Sequence, residues 1–290
     1  MREPANIAAS VRARLLNLSR ERNQPFQLLL TRYVLERLLY RLSLTAHRER
    51  FVLKGAMLMT AWLDNPFRPT QDLDLLGFGN PEPGAMLDVF GEVCRVVADD
   101  GVVFDHDALS VEQTREDLEY GGLRLKTNAT LDGARIRVLV DIGFGDAVEP
   151  QERDLPVLLD LPAPRLRTYP PEAAIAEKFQ AMVMLGRANS RMKDFYDIWM
   201  LARSDAFAID ALPRAIRATF DRRGTEVPDE RPDALTLEFA ADTMKQQQWT
   251  SFVENVAMHP GTLAGVIDDL AAFLMPQAKA ARALPVTQMR

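Results

Sequence analysis

The sequence predicts an α+β fold, a small mixed sheet flanked by helices and followed by a helical domain. Three observations carry this. Apolar residues recur at helical spacing between residues 8 and 44. Strand-like segments, interrupted by two helical stretches, run from residue 51 to 144 and contain an Asp-Gly turn. Helical periodicity then returns after Pro171. A chain of 290 residues suffices for one large or two ordinary domains with buried cores.

In chain order, two helices fill residues 8–44, joined near Asn23-Gln24-Pro25. Leu28, Tyr33, Leu35, Leu38, Leu39 and Leu42 mark the second. Residues 51–53 form a short strand. A turn at Gly55 opens an amphipathic helix over residues 56–63, ended by Asp64-Asn65-Pro66. Residues 71–76 form a second strand. A helix over 84–99 follows, with Met86, Val89, Phe90, Val93, Val96 and Val97 expected on its buried side. Strands over 111–114, 122–131 and 135–144 form a meander, its last two members joined at Leu131-Asp132-Gly133. Val138, Val140, Ile142 and Phe144 line one face of the last strand, and Arg135, Arg137, Leu139 and Asp141 the other. A Pro-rich linker is expected between about 150 and 171. Helices over 171–185, 192–202, 210–220, 244–256 and 262–275 complete the chain. The expected domains are residues 1–150, with the N-terminal helices and the sheet, and residues 165–290, all helical.

Composition narrows the setting. The hydrophobic and charged fractions, 47% and 26%, are those of a soluble globular protein. No apolar run approaches the roughly 20 residues that span a bilayer. The first residues lack the apolar stretch of a signal peptide. Cys94 is the only cysteine, which excludes an internal disulfide and a cysteine-built zinc site, and a cytoplasmic, reducing setting is expected. His47, His106 and His259 have no ligand spacing, and Trp62, Trp199 and Trp249 read as core residues. The net charge of −6 argues against a general nucleic-acid coat. Residues 1–54 nevertheless carry eleven Arg and Lys against four Asp and Glu. Two readings stand: a solvated helical surface, or a basic face that guides a polyanion. The sequence carries no signal of oligomeric state.

The strand at 71–76 holds the most informative residues. Asp72 and Asp74 share one face of it, and Leu73 and Leu75 the other. Two adjacent carboxylates repel, and a cation between them offsets the repulsion. Oxygen-only ligation suits Mg²⁺, which takes one or two carboxylates together with substrate phosphates. The glycine turn at Gly55 and Ala56 offers backbone N–H donors to phosphate at the opening of a helix. Asp141 is the candidate third carboxylate, with Asp146 as a rival, and ordinary solvated carboxylates are the alternative for all of them.

The run Lys54-Gly55-Ala56 followed by Arg68-Pro69-Thr70-Gln71-Asp72-Leu73-Asp74-Leu75 resembles the nucleotidyltransferases of the AbiEii/AbiGii toxin family, which includes MenT-type toxins. Ala176-Glu177-Lys178 resembles the family's helix-borne Glu-Lys motif. Arg191-Met192-Lys193-Asp194-Phe195-Tyr196-Asp197-Ile198 resembles its Arg-x-Lys-Asp-Phe-x-Asp motif. The resemblance covers residues 51–201 and more loosely residues 273–276. Where the family often has a second Gly or a Ser, this chain has Ala56, so a hydroxyl contact to phosphate is absent while the backbone N–H remains.

The resemblance implies a nucleotidyltransferase palm with a helical C-terminal domain and an active site in the cleft between them. It implies Mg²⁺ on Asp72, Asp74 and Asp141, and phosphate contacts from Gly55, Ala56 and Thr70. Lys178 would act as a point charge on the triphosphate; the alternative is a lysine whose stem covers apolar surface. Asp194 would line the site and orient Lys178, Asp197 would support it, and Arg191 and Lys193 would hold a phosphate or the acceptor strand. Helix-surface salt bridges are the alternative for that group. The implied activity is transfer of a nucleotide from an NTP, CTP favoured, to an RNA acceptor such as the tRNA 3′ end, which blocks translation. A cognate antitoxin is the implied partner, and no membrane is involved. Modification of a protein hydroxyl or a small molecule, and a non-catalytic nucleotide-binding module, are the competing classes.

Overall fold

The computed structural model describes residues 6–63, 70–114, 122–145, 148–205, 207–254, 256 and 258–285. The first helices are α1 (Ile7–Glu21) and α2 (Phe26–Ser43), separated by a turn in which Asn23 takes a left-handed φ of 49°. Asn6 caps α1 by accepting the Ala9 N–H. β1 (Phe51–Lys54) leads through Gly55 and a 3₁₀ turn into the short α3 (Met59–Trp62). β2 (Leu73–Gly77), α4 (Pro83–Arg95), β3 (Val103–Phe104), β4 (Ser110–Thr114), β5 (Gly122–Leu131) and β6 (Ala134–Phe144) follow. The β5–β6 turn has positive φ at both Asp132 and Gly133, the conformation that an Asp-Gly hairpin requires.

Residues 150–171 depart from the expected linker. They contain β7 (Gln151–Asp154) and β8 (Arg165–Thr168), which pair antiparallel with each other, and β8 adds in parallel to β1. The full sheet runs β3-β5-β6-β2-β1-β8-β7, and β4 also pairs with β5. Four-residue strands flanked by prolines give too short an alternation to stand out, and β7 is largely exposed at an edge, where polar residues belong. The segment between them is anchored by burial. Leu155, Leu158 and Leu159 are buried, Glu36 accepts the Leu158 N–H at 2.8 Å, and Arg37 donates to the Pro162 carbonyl at 3.0 Å.

The remaining helices are α5 (Pro171–Leu185), α6 (Met192–Leu201), α7 (Leu212–Arg222), α8 (Leu237–Ala241), α9 (Thr243–Val253) and α10 (Leu263–Arg282). α10 continues past Pro276, beyond the expected end at 275. α4 stops at Arg95, earlier than expected, and Val97 is 89% exposed rather than in the core. The chain divides into two units: one holds the sheet with α1, α2 and α4, the other α5–α10. In the second, α5 packs on α7 through Phe179 and Phe220, and α6 meets α8 through stacked Phe195 and Phe239. Among the described residues, no helix is long and apolar enough to cross a membrane.

The basic N-terminal segment is only partly a surface. Arg37 and Arg41, which the sequence offered as part of a solvated or polyanion-guiding face, are buried. Arg41 uses all five N–H donors: two to the Asp100 carboxylate, at 2.6 and 3.0 Å, and three to the carbonyls of Val96, Arg37 and Val102. It thereby ties α2 to the turn that leaves α4. Arg12, Arg14, Arg20, Arg22 and Arg48 do remain exposed. Arginines at helical spacing look alike in sequence whether they face water or a buried aspartate.

Two measurements follow from these buried charges. Asp100→Ala strands the Arg41 guanidinium, and urea unfolding should show a loss of about 3–5 kcal/mol at unchanged m-value; a loss below about 1 kcal/mol would contradict the pairing. Burial lifts the Glu36 carboxyl from 4.5 to about 7, against the pull of Arg37 and the Leu158 N–H. The folded chain then keeps a proton that the unfolded chain has released, so the Glu36 contribution is full below pH 4.5 and is lost as pH rises through 7. Glu36→Gln removes that titration, and urea midpoints between pH 5 and 8 should fall more steeply for the wild type than for the variant.

Candidate functional site

β2 lies between β1, antiparallel, and β6, parallel. The registers place Lys54 opposite Asp74, Asp74 beside Asp141, and Asp141 opposite Arg124 of β5. Paired residues on neighbouring strands share a face. One cross-strand row therefore reads Lys54, Asp74, Asp141, Arg124, two carboxylates between two cations. Asp72 and Asp74 are half-buried, and the alternating Leu73 and Leu75 are buried, as the strand periodicity predicts.

Gly55 shapes this row. Its φ of 74° and ψ of −156° lie where L side chains are strained. A Cβ there would sit 2.6 Å from Asp74 Cγ and 2.7 Å from its Cβ, with Oδ2 closer still. The turn after β1 thus presses bare backbone against the Asp74 carboxylate. Ala56 is buried in the 3₁₀ turn that follows, and the Leu58 N–H closes back on the Gly55 carbonyl at 3.2 Å. Thr70 Oγ1 lies 3.0 Å from Asp72 Oδ1 and 3.1 Å from the Asp72 carbonyl, so in this structure its hydroxyl orients Asp72. Arg68 and Pro69 of the same motif, and Asp146, lie outside the described residues.

Asp141 is held by a two-pronged contact with Arg124, Nε to Oδ1 and Nη2 to Oδ2, both at 2.7 Å. Among the described residues, no group of three or more His, Cys, Asp or Glu is gathered around one point that could hold a metal. The donors on and just before β2 nevertheless suit a hard cation. Asp72 and Asp74 offer oxygen alone, and Mg²⁺ takes one or two carboxylates and completes its shell with water and phosphate. Both Asp141 oxygens are engaged by Arg124, so Asp141 stands in this structure as an ion-pair partner rather than as a free ligand.

The second group lies on α5 and α6. Lys178 Nζ is 2.6 Å from Asp194 Oδ1 and 2.9 Å from Asp197 Oδ2, and Arg191 Nε is 2.6 Å from Asp194 Oδ2. Asp194 and Asp197, three residues apart, share one helix face and are almost fully buried. Burial pushes the Asp194 carboxyl up, but Lys178 and Arg191 outweigh it and hold it below the usual carboxylate range. Lys178 is 15% exposed in its side chain, so it is not a lysine ending in open water. Asp197, expected as support, is the second carboxylate on the ammonium, at the longer of the two distances. Arg191 is half-exposed and Lys193 exposed.

Two contributors were not singled out in the sequence. Arg124 was recoverable: Leu131 pairs with Ala134 across the turn, and seven steps back along each strand bring Arg124 opposite Asp141. Lys245 of α9 was not. It is buried, donates to the Asn189 carbonyl at 2.7 Å and lies over the Phe239 ring. Asn189 Oδ1 in turn accepts the Arg191 N–H at 2.8 Å, which fixes the entry to α6. Nothing in Met244-Lys245-Gln246 distinguishes such a lysine from a solvated one.

The tight approach at Gly55 has a measurable consequence. Gly55→Ala should cost about 1–3 kcal/mol, read as a lowered thermal midpoint. An alanine variant as stable as the wild type would mean that Asp74 is not pressed against this turn.

Two solved structures share the fold. A protein of Helicobacter pylori assigned to the nucleotidyltransferases is 17% identical, with a TM-score of 0.51, covering 89% of this chain and 98% of its own. JHP933 of Helicobacter pylori is 14% identical, with a TM-score of 0.50, covering 86% and 90%. No curated protein matches the chain significantly. The sequence profile of the nucleotidyl transferase AbiEii toxins of type IV toxin–antitoxin systems matches residues 37–275, a span that contains β1, β2, β6, α5 and α6 with every residue described above. The chain belongs to the AbiEii nucleotidyltransferase toxin family.

Proposed function

We propose that this enzyme transfers a nucleotide from an NTP, with CTP favoured, to the 3′ end of an RNA acceptor, in the first place tRNA, and so blocks translation. The observation that carries the reading is the Gly55 turn packed on Asp74, which gives a family nucleotidyltransferase a fixed carboxylate against a turn that has no side chain there. Asp72 and Asp74 would hold Mg²⁺, which when bound supplies charge neutralisation on the triphosphate and the departing pyrophosphate. Gly55 and Ala56 offer backbone N–H groups to phosphate oxygens. Thr70 keeps Asp72 oriented. Lys178, aimed by Asp194 and Asp197, contributes a positive charge toward the triphosphate, and Arg191 and Lys193 contact phosphate or the acceptor strand.

In the transfer, the acceptor 3′-hydroxyl oxygen forms a bond to the α-phosphorus. The bond from that phosphorus to the bridging oxygen breaks, and pyrophosphate leaves with the electron pair. Asp141 faces the acceptor hydroxyl and takes its proton once Arg124 lets go. Positioning and charge stabilisation supply most of the acceleration. The cellular partner beyond RNA is the cognate antitoxin of the family's two-component systems, and the site of action is the cytoplasm.

The experiment is incubation of purified protein with labelled NTPs, Mg²⁺ and either tRNA or whole-cell protein. Label should appear on the tRNA 3′ end, most strongly from CTP, and Asp74→Asn should reduce it by about 10²–10³-fold. Label confined to protein would overturn the RNA reading. Undiminished transfer by Asp74→Asn would overturn the site.

A further inference from the structure

The β5–β6 hairpin has two unlike faces. On one, Leu125, Val138 and Val140 are covered by Leu38 of α2 and by Phe90 and Cys94 of α4. The other carries Arg124, Lys126, Asn128 and Thr130 from β5, paired with Asp141, Leu139, Arg137 and Arg135 from β6. This second face is the one that bears Asp74 and Asp141. Four cations therefore stand on the same face of the sheet as the carboxylate row, in a chain whose net charge is −6.

They differ in what holds them. Arg124 is forked on Asp141, and Lys126 is paired with Glu112 of β4. Arg135 and Arg137 are exposed, and among the described residues neither forms an ion pair, Arg137 acting on the Glu112 carboxylate only at longer range. The acid at the end of the hairpin, Asp132, is met by Arg12 of α1 at 3.9 Å. At about 7 Å per two residues, Leu139, Arg137 and Arg135 lead away from Asp141 over roughly 20 Å. Two like charges on neighbouring same-face positions repel, and an anion laid along both offsets that repulsion.

We propose that the exposed face of β5–β6, with Arg135 and Arg137 at its outer end, is the track on which the phosphates of a single-stranded polynucleotide end lie as it reaches the carboxylates. This rests on the RNA-acceptor reading and adds the surface that holds the acceptor. A polyanion is the occupant that fits, because the strip is linear, sets four cations against the two acids Asp141 and Glu112, and is continuous with the carboxylate row. The track binds backbone and not base edges, so it carries affinity without sequence preference.

The test uses full-length protein and measures binding of tRNA and of a single-stranded RNA oligomer by fluorescence anisotropy over a salt series, with CTP binding measured alongside. Arg135→Glu combined with Arg137→Glu should weaken RNA binding at least tenfold at 0.1 M salt. Arg135→Ala with Arg137→Ala should shallow the slope of log K against log salt by about 1.4, since each lost phosphate contact on a single strand removes roughly 0.7. The double lysine replacement should keep RNA affinity within a few-fold of wild type, and CTP binding should be unchanged in all three. Equal RNA affinity and slope in wild type and variants would overturn the track while leaving the RNA reading intact. Absence of RNA binding by the wild type would overturn both. An unchanged RNA isotherm with lost binding to the cognate antitoxin would overturn the track in favour of an acidic protein partner.

Discussion

The constraint on which the sheet unit depends is the placement of β2 between an antiparallel and a parallel neighbour. That placement puts the Asp74 carboxylate between Lys54 on one side and Asp141 on the other, with Gly55 against its flank. Two like charges on adjacent strands repel, and the arrangement stands because Lys54 and Arg124 flank the two carboxylates and because the leucines on either side of Asp74 are buried on the opposite face. A turn residue with a side chain would displace the acid that the row is built around. The same requirement explains why the strand is apolar around its acids: Leu73, Leu75 and Leu76 hold the strand in the core so that the carboxylates have fixed positions.

The helical unit solves a related problem with opposite sign. Lys178 extends from an apolar helix, and two buried aspartates spaced three apart fix where its ammonium ends. Burying carboxylates is costly unless they are paired, and here Lys178 and Arg191 supply the pairing. Lys245 then fixes the turn from which α6 starts, through a carbonyl rather than a carboxylate. The result is a cation whose direction is set by two buried carboxylates that themselves have little freedom. In the proposed transfer, such preorganisation would spare these groups any rearrangement during the reaction.

Much of this was legible in the sequence where a local rule decided it. The β5–β6 hairpin was readable because Asp-Gly fixes its turn, and the turn fixes every cross-strand pair behind it. The acids of β2 were readable because alternation with leucine sets their face. The glycine was readable as a turn, but its contact with Asp74 was not, because that contact is made across the β1–β2 pairing. Long-range pairings account for the rest. Arg37 and Arg41 look solvated until Asp100 and Pro162 fold against them, and β7 and β8 are too short and too proline-flanked to be seen before β1 supplies an edge. Asp141 read as a ready carboxylate, whereas the structure gives both its oxygens to Arg124.

The central claim is that Asp72 and Asp74 hold a divalent ion together with a nucleotide. Calorimetric titration of CTP into the wild type and into Asp72→Asn with Asp74→Asn, with and without Mg²⁺, addresses it most directly. The account predicts that Mg²⁺ tightens CTP binding to the wild type at least tenfold and has no such effect on the variant. Nucleotide affinity that is the same in all four titrations would contradict it.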